Sequence, residues 1–374
     1  MCPFAQSHWH PFGGSSDNIL WYRVIAGSQL SQTTLSELKV ASHFVHEILV
    51  PTPTLNWPLL DQAMATKVWV KHENHLPTGA FKVRGGLVYM DRLVKAGAPP
   101  GVCAATRGNH GQSIAFAAAR YGLPCVIVVP EGNNLDKNRA MRALGAEVIE
   151  VGLDFDESVA QARTYAEEQG LHLIPSFHPN LVLGVASYAL EWFEQAPDLT
   201  KVYVPIGLGS GICGVLMAKA ALNLDVEIIG VVSEAFPTYL ESSRQGRSVL
   251  TPPAYTIADG LAVRQAHNDA LGLIEHGVSK ILTVSDQEIS SAISILFRCT
   301  HNVAEGAGAA ALAAAVKDAS HHLSTDQLGV VFSGGNVAAE VLSNALQRRR
   351  RAGDSVSRLK RIVSSARFGP ISKG

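Results

Sequence analysis

Residues 68–86 read VWVKHENHLPTGAFKVRGG. The run at 68–72 has the composition of a buried strand. Pro77, Thr78 and Gly79 then turn the chain, and helix-forming residues resume around a single lysine, Lys82. The ordinary account of such a lysine is a surface residue whose stem lies over Phe81. That account suffices for this stretch alone, so the rest of the chain decides between a surface amine and a chemical one.

Outward from this strand-turn-helix unit, the pattern repeats. Strands are expected at 68–73, 102–106, 124–130, 147–151, 172–176, 201–206, 227–232, 281–284 and 329–333. Helical stretches such as GQSIAFAAARYG and SSAISILFRCT lie between them, with apolar residues recurring at three and four. Most strands are continuously apolar, as parallel strands covered on both faces are. Strands alternating with helices predict an open, doubly wound α/β sheet. The alanine-rich AGAAALAAA at 307–315 reads as a helix packed closely against its neighbours.

The chain has 374 residues, of which 47% are hydrophobic, enough for two domains or one large α/β unit with a subdomain. A formal net charge of -1 gives no electrostatic case for nucleic acid or a membrane surface, and no apolar run of about 18 residues predicts a membrane span. The N-terminus MCPFAQSHWHPFGG lacks the basic start and apolar stretch of a signal peptide. Cys2, Cys103, Cys125, Cys213 and Cys299 are scattered and odd in number, which fits reduced thiols and a cytoplasmic protein. His72 and His75 in HENH have no third ligand nearby, so no metal site is expected. Residues 346–374 are basic and lose apolar periodicity, as a solvated tail does.

In doubly wound sheets ligands sit beyond the carboxyl ends of the strands, and four such ends carry unusual residues. TRGNHGQS, 106–113, offers Gly108 and Gly111 for close backbone approach and Asn109 as donor and acceptor. VPIGLGSGICG, 204–214, places Gly207, Gly209, Gly211 and Gly214 between a strand and a helix. Gly209, Gly211 and Gly214 carry G-x-G-x-x-G spacing, but the loop falls late in the chain rather than at the first strand-helix turn of a dinucleotide fold and no Walker lysine follows, so it reads as a cradle for one phosphate. VVFSGGNV, 330–337, brings Ser333 to a strand end, where helix capping is the alternative role. VAEGAGAAAL sets Glu305 among small residues, either buried with a partner or facing solvent. A lysine, a phosphate cradle, a hydroxyl and an Asn-bearing turn together meet the needs of pyridoxal 5'-phosphate. Lys82 among apolar neighbours would lose its proton readily, with Arg84 as a candidate source of like charge.

The ordered series VPTPTL, ENHLPTGAFKVRGG, GNHGQSIAFAA, IVVPEGNNLDKNRAMRALGAEVI, VPIGLGSGICG, TIADGLAV, AEGAGAAAL and VFSGGNV closely resembles the threonine dehydratase and serine racemase branch of fold type II pyridoxal-phosphate enzymes, the tryptophan synthase β-like family. The resemblance covers nearly the whole chain. It implies two doubly wound open α/β domains with the cofactor in the cleft between them: a large one from residues 1–87 and 179–345, and a small one from 88–178. It implies that Lys82 is the cofactor-bearing lysine, that Phe81 lies against the ring, and that Asn109 bonds its 3'-oxygen. Backbone from Gly207, Leu208, Gly209, Ser210 and Gly211 would hold the phosphate, Ser333 would meet the pyridine nitrogen, and Glu305 would join the site. Thr106, Arg107, Gly108 and His110 would bind the substrate, its α-carboxylate on the turn amides and Thr106.

The implied activity is β-elimination of a β-hydroxy amino acid of the threonine/serine, 3-hydroxyaspartate or phenylserine type, giving a 2-oxo acid and ammonia in a homodimer or homotetramer. Racemisation, β-replacement and a catalytically inactive amino-acid-binding relative are the alternatives. Three departures bear on them. Arg107 stands where serine racemases have an acid/base serine, and a guanidinium does not shuttle protons; it suits a carboxylate instead. Leu208 and Ser210 interrupt the glycine tetrad common in relatives. Leu240 takes the place of a cation-binding aspartate, so no divalent metal is expected. The resemblance also leads us to expect no C-terminal regulatory domain, since residues after about 345 leave no room for one.

Overall fold

The computed structural model describes residues 29–348, Ser324 apart. Ten strands form two sheets: β1 (Thr54–Asn56), β2 (Lys67–His72), β3 (Val102–Ala105), β4 (Cys125–Val129), β5 (Glu147–Glu150), β6 (His172–Leu173), β7 (Lys201–Pro205), β8 (Glu227–Ser233), β9 (Lys280–Val284) and β10 (Gln327–Phe332). The helices are α1 (Leu35–His46), α2 (Pro58–Met64), α3 (Lys82–Gly97), α4 (Asn109–Arg120), α5 (Leu135–Ala143), α6 (Phe155–Gln169), α7 (Pro179–Gln195), α8 (Ser210–Ala221), α9 (Thr238–Gln245), α10 (Asn268–Gly277), α11 (Asp286–Thr300), α12 (Gly306–Lys317) and α13 (Ala339–Arg348).

The larger sheet has the order β1-β2-β10-β7-β8-β9 and the smaller one β5-β4-β3-β6. Every pairing is parallel except β1 against β2. Parallel strands need cover on both faces, and both sheets have it. Val68, Val70, Tyr203, Ile229 and Leu328 of the larger sheet pack with Ile293 and Leu296 of α11 and the alanines of α12. Its other face, through Val202, Val204 and Ile228, joins Val185 of α7 and Val215 of α8. In the smaller sheet Cys103, Val126 and Val128 meet Ala162 and Ala166 of α6, while Ala104 and Ile127 on the opposite face join Ile114 of α4.

Two expectations about strands change. The anticipated strand at 172–176 contracts to His172–Leu173, because Pro175 has no N–H with which to continue a ladder. The antiparallel edge strand β1 was not anticipated, being three residues long and flanked by prolines. The basic segment after Arg348 lies outside the described residues. Among the described residues, no helix is long and apolar enough to cross a membrane.

Two close approaches fix the helix that begins at Lys82. A Cβ on Gly85 of α3 would stand 2.6 Å from the Leu181 carbonyl oxygen of α7, and one on Gly184 of α7 would collide with the Arg84 carbonyl. Only glycine lets these backbones meet so closely. The alanine-rich helix also packs as expected: a Cβ on Gly308 would collide with the Gly334 carbonyl oxygen beyond β10.

Candidate active site

The segment that turns from β2 into α3 is held against the end of β10. The Phe81 N–H donates to the Ser333 carbonyl at 3.1 Å, and the Gly335 N–H donates to the Gly79 carbonyl at 2.8 Å. An isolated bridge joins Ala80 to Gly334. Gly79 takes φ +67°, a left-handed angle suited to glycine. This clamp sets Lys82, the first residue of α3, beside Ser333, and both line one pocket with Phe81, Asn109, Glu305 and the 207–211 loop. Ser333 does not cap a helix: the next one, α13, begins at Ala339.

Lys82 Nζ donates to Ser210 Oγ at 2.8 Å. The residue is half-buried, with one flank open to the cleft, yet its amine lies deep enough that burial lowers its pKa from 10.5 to about 8. The start of a helix disfavours a cation as well. Arg84 plays no part in this shift, contrary to the sequence reading. Its guanidinium is wholly buried and points the other way: Nε donates to Glu73 Oε2 at 2.7 Å and Nη2 to Glu73 Oε1 at 3.0 Å. Nη2 also donates to Glu191 Oε2 at 3.0 Å, and Lys71 Nζ reaches the same oxygen at 2.7 Å. The glutamate of HENH is thus an ion-pair partner. His72 accepts from Trp57 Nε1 at 3.1 Å, and burial holds its pKa down at about 4.

The glycine loop opens α8. Gly209 sits at φ +104° as the N-cap and Ser210 is the first helical residue. A Cβ on Gly207 would collide with the Gly260 carbonyl, and one on Gly211 would approach Phe81 Cζ to 3.5 Å. The departures from a glycine tetrad are therefore accommodated: Leu208 and Ser210 fall where glycine is not required. Tyr239, which the sequence reading passed over, donates to the Leu208 carbonyl at 2.8 Å and accepts from the His267 N–H at 3.1 Å.

Across the pocket stands the TRGNHG turn from the smaller sheet. Thr106 Oγ1 accepts from the Gly108 N–H at 3.0 Å and the Gly111 N–H at 3.3 Å. Two of the amides expected to face a carboxylate are thus spent inside the turn. Asn109 Nδ2 donates to Glu305 Oε1 at 2.6 Å, and its Oδ1 accepts from Asn336 Nδ2 at 2.8 Å. Its amide therefore ties the smaller sheet to the larger one. His110 is buried and neutral, its pKa lowered to about 3 by burial and then by the Lys82 charge. Arg107 is exposed and lines the pocket.

Glu305 resolves to the buried alternative. Burial pushes its pKa up to about 7 against the pull of Lys137 and the Asn109 hydrogen bond. Lys137 and Asp259 also line the pocket and form an ion pair across it. Neither was singled out from sequence, although each lies within a quoted motif, and Lys137 stands in the first turn of the helix that follows β4.

The Pyridoxal-phosphate dependent enzyme family model matches residues 45–334, and the chain belongs to that family. The L-threonine ammonia-lyase of Thermotoga maritima is 33% identical over 316 residues, spanning 84% of this chain and 78% of that protein. The L-threo-3-hydroxyaspartate ammonia-lyase of a Pseudomonas sp is 32% identical over 297 residues, spanning 79% and 93%. Among solved structures, the T.th. threonine deaminase aligns with a TM-score of 0.77 at 31% identity, covering 82% of this chain and 99% of that one.

The protein is accordingly a pyridoxal-phosphate enzyme, and its pocket fits that group. Glu305 Oε2 and His110 Nε2 are buried polar atoms without a protein partner, a costly condition that a polar ligand relieves. The helix start behind Gly207, Gly209 and Gly211 leaves backbone N–H groups for a phosphate. Lys82 supplies an amine already lowered toward its neutral form.

Proposed function

We propose that this chain is an ammonia-lyase that converts a β-hydroxy amino acid into a 2-oxo acid and ammonia. The observation that carries the reading is the Lys82 amine, 2.8 Å from Ser210 Oγ at the mouth of the glycine-led helix α8. One pocket thereby joins a depressed amine to a phosphate-binding helix start. In this reading Lys82, Phe81, Asn109, Glu305, Ser333 and the backbone from Gly207 through Leu208, Gly209, Ser210 and Gly211 hold the cofactor. Residues 88–178, with the smaller sheet, form one wall of its cleft. The described residues of 1–87 and 179–345 form the other.

When bound, pyridoxal phosphate supplies an aldehyde that captures amines and a conjugated ring that takes up electrons. The protein does the rest. Lys82 Nζ, neutral in a large fraction near its pKa of about 8, takes the proton from the substrate α-carbon as general base. Ser210 Oγ keeps that amine on the cofactor side of the cleft. The N–H groups of Asn109 and His110 at the start of α4 orient the α-carboxylate, and the Thr106 hydroxyl shapes their turn. His110, neutral by burial, adds no competing positive charge. Loss of the β-hydroxyl as water, then hydrolytic release of the amine, completes the net change.

Racemisation needs a second proton-transfer group opposite Lys82, and Arg107 at that point is permanently protonated. The reading extends to a homodimer or homotetramer in the cytoplasm, with Val40, Val50 and Leu59 as exposed apolar residues available for self-association.

The test is a panel of serine, threonine, threo- and erythro-3-hydroxyaspartate and phenylserine given to the holoenzyme. The expected result is 2-oxo acid and ammonia in equal amounts without inversion of residual substrate. Inversion without oxo acid would instead identify a racemase, and a spectral change without product a binding protein.

A further inference from the structure

Opposite Lys82, the pocket carries more charge than a threonine-sized side chain needs. Lys137 stands at the start of α5, and its stem crosses the TRGN turn so closely that a Cβ on Gly108 would lie 2.7 Å from Lys137 Cδ. Its side chain is 9% exposed, and its ammonium is paired with Asp259 on the opposite wall. Burial works against that charge, but Asp259 and Glu305 outweigh it and keep the ammonium protonated. Asp259 is different: its side chain is 35% exposed, so its carboxylate can return to water at little cost. Arg107 lies near enough to Lys137 for the two like charges to act on each other. Among the described residues Arg107 has no ion-pair partner.

Two cations therefore face one readily released carboxylate, in the pocket that holds the proposed catalytic amine. We propose that Lys137 and Arg107 form a receptor for a second carboxylate, carried on the substrate's β-carbon, and that Asp259 occupies this receptor until such a substrate enters. The inference rests on the ammonia-lyase reading and adds to it an acidic substrate class. A methyl group on the β-carbon, as in threonine, gives Lys137 nothing in exchange for Asp259. An incoming carboxylate replaces one anion with another at Lys137 and gives Arg107 a partner it otherwise lacks, in geometry suited to a bidentate contact.

Two measurements on the holoenzyme test this. The first is kcat/KM for 3-hydroxyaspartate divided by that for threonine. A charge-assisted contact at a partly exposed site predicts a wild-type ratio of at least about 10, falling about tenfold in Arg107→Gln and recovering in part in Arg107→Lys. The second is calorimetric titration with succinate, compared with butyrate, neither of which turns over. Wild type should prefer succinate, and Asp259→Asn should tighten succinate binding about threefold or more, because the competing anion is gone. A role confined to holding Lys137 in place predicts the opposite sign.

Equal use of the two substrates by wild type, a ratio unmoved in Arg107→Gln, or weaker succinate binding in Asp259→Asn would each overturn the receptor. Arg107 is exposed, so its variants judge the idea even if Asp259→Asn fails to fold. Should no β-hydroxy amino acid yield oxo acid, the ammonia-lyase reading falls, while the succinate titration still decides the receptor. Should threonine be turned over without any preference for acid, only the receptor falls.

Discussion

Lys82 and Arg84 stand in the first turn of one helix, and the fold treats their charges in opposite ways. Arg84 is wholly buried but matched by Glu73 and Glu191, with Ser187 and Thr52 accepting from its remaining N–H groups and Lys71 sharing Glu191. Its guanidinium is held charged, and the Glu191 carboxyl, pulled down by Arg84 and Lys71 against its own burial, falls to about 2. Lys82 faces a cleft with one hydroxyl and no carboxylate within hydrogen-bonding distance, so burial acts on it unopposed. One network spends its charges on fixing a helix. The other leaves the proposed reactive amine, with its lowered pKa, at the position that helix fixes. Enclosure alone therefore says little about what an ionisable group does; the presence or absence of a counter-ion decides.

The sharpest way to break the contrast is Lys82→Ala. Turnover of β-hydroxy amino acids should fall about 10³-fold or more with loss of both the cofactor-capturing amine and the general base. The melting temperature of the cofactor-free protein should hold, since no ion pair is lost. Retention of turnover in this variant would remove the proposed active site.

Glu191→Ala attacks the other half. It leaves Arg84 and Lys71 facing each other across a buried gap, and removing one member of a buried pair costs about 3–5 kcal/mol. Chemical denaturation should record that loss, and cofactor occupancy should drop with it because α3 carries Lys82. A midpoint equal to wild type would mean that water reaches the network.

The third expectation concerns pH. Lys82 has a folded pKa of about 8 against 10.5 for a free lysine. Below pH 8 both states are protonated and the folded state bears the cost of the buried ammonium, which is relieved as pH rises from about 8 toward 10.5. Capture of pyridoxal phosphate by the cofactor-free protein needs the neutral amine, so its rate should rise through a midpoint near pH 8. A midpoint near 10.5, read from absorbance during reconstitution, would show the amine to be open to water.

The smallest effect belongs to an exposed helix cap. Thr34 and Glu37 form a capping box at the start of α1, and Thr34→Ala should cost about 1 kcal/mol without changing activity. A loss as large as that of Glu191→Ala would deny that counter-ion matching under burial sets the scale.

Much of the candidate site was legible because its residues lie just beyond strands, where composition changes abruptly. Gly207 and Gly209 announced a helix start, and the apolar strand before Lys82 announced its place. The partners of those residues were not legible. Glu191 is 107 positions from Arg84 and Asp259 is 122 from Lys137, and no local pattern links such pairs. The Arg84 reading failed for that reason: proximity to Lys82 along the chain suggested an electrostatic partner, whereas the helix sends the two side chains to different sides of α3.

The sequence by itself determined the alternation of strands and helices, the lysine at the head of α3 and the glycine loop, because each is written in local steric and hydrophobic patterns. Tertiary structure alone decided that Glu305 is buried, that Asn109 ties the two sheets together, and that Lys137 meets Asp259 over the pocket. Burial and counter-ion contact arise only when distant segments pack, and in this protein those two quantities separate the structural charge of Arg84 from the proposed chemical one of Lys82.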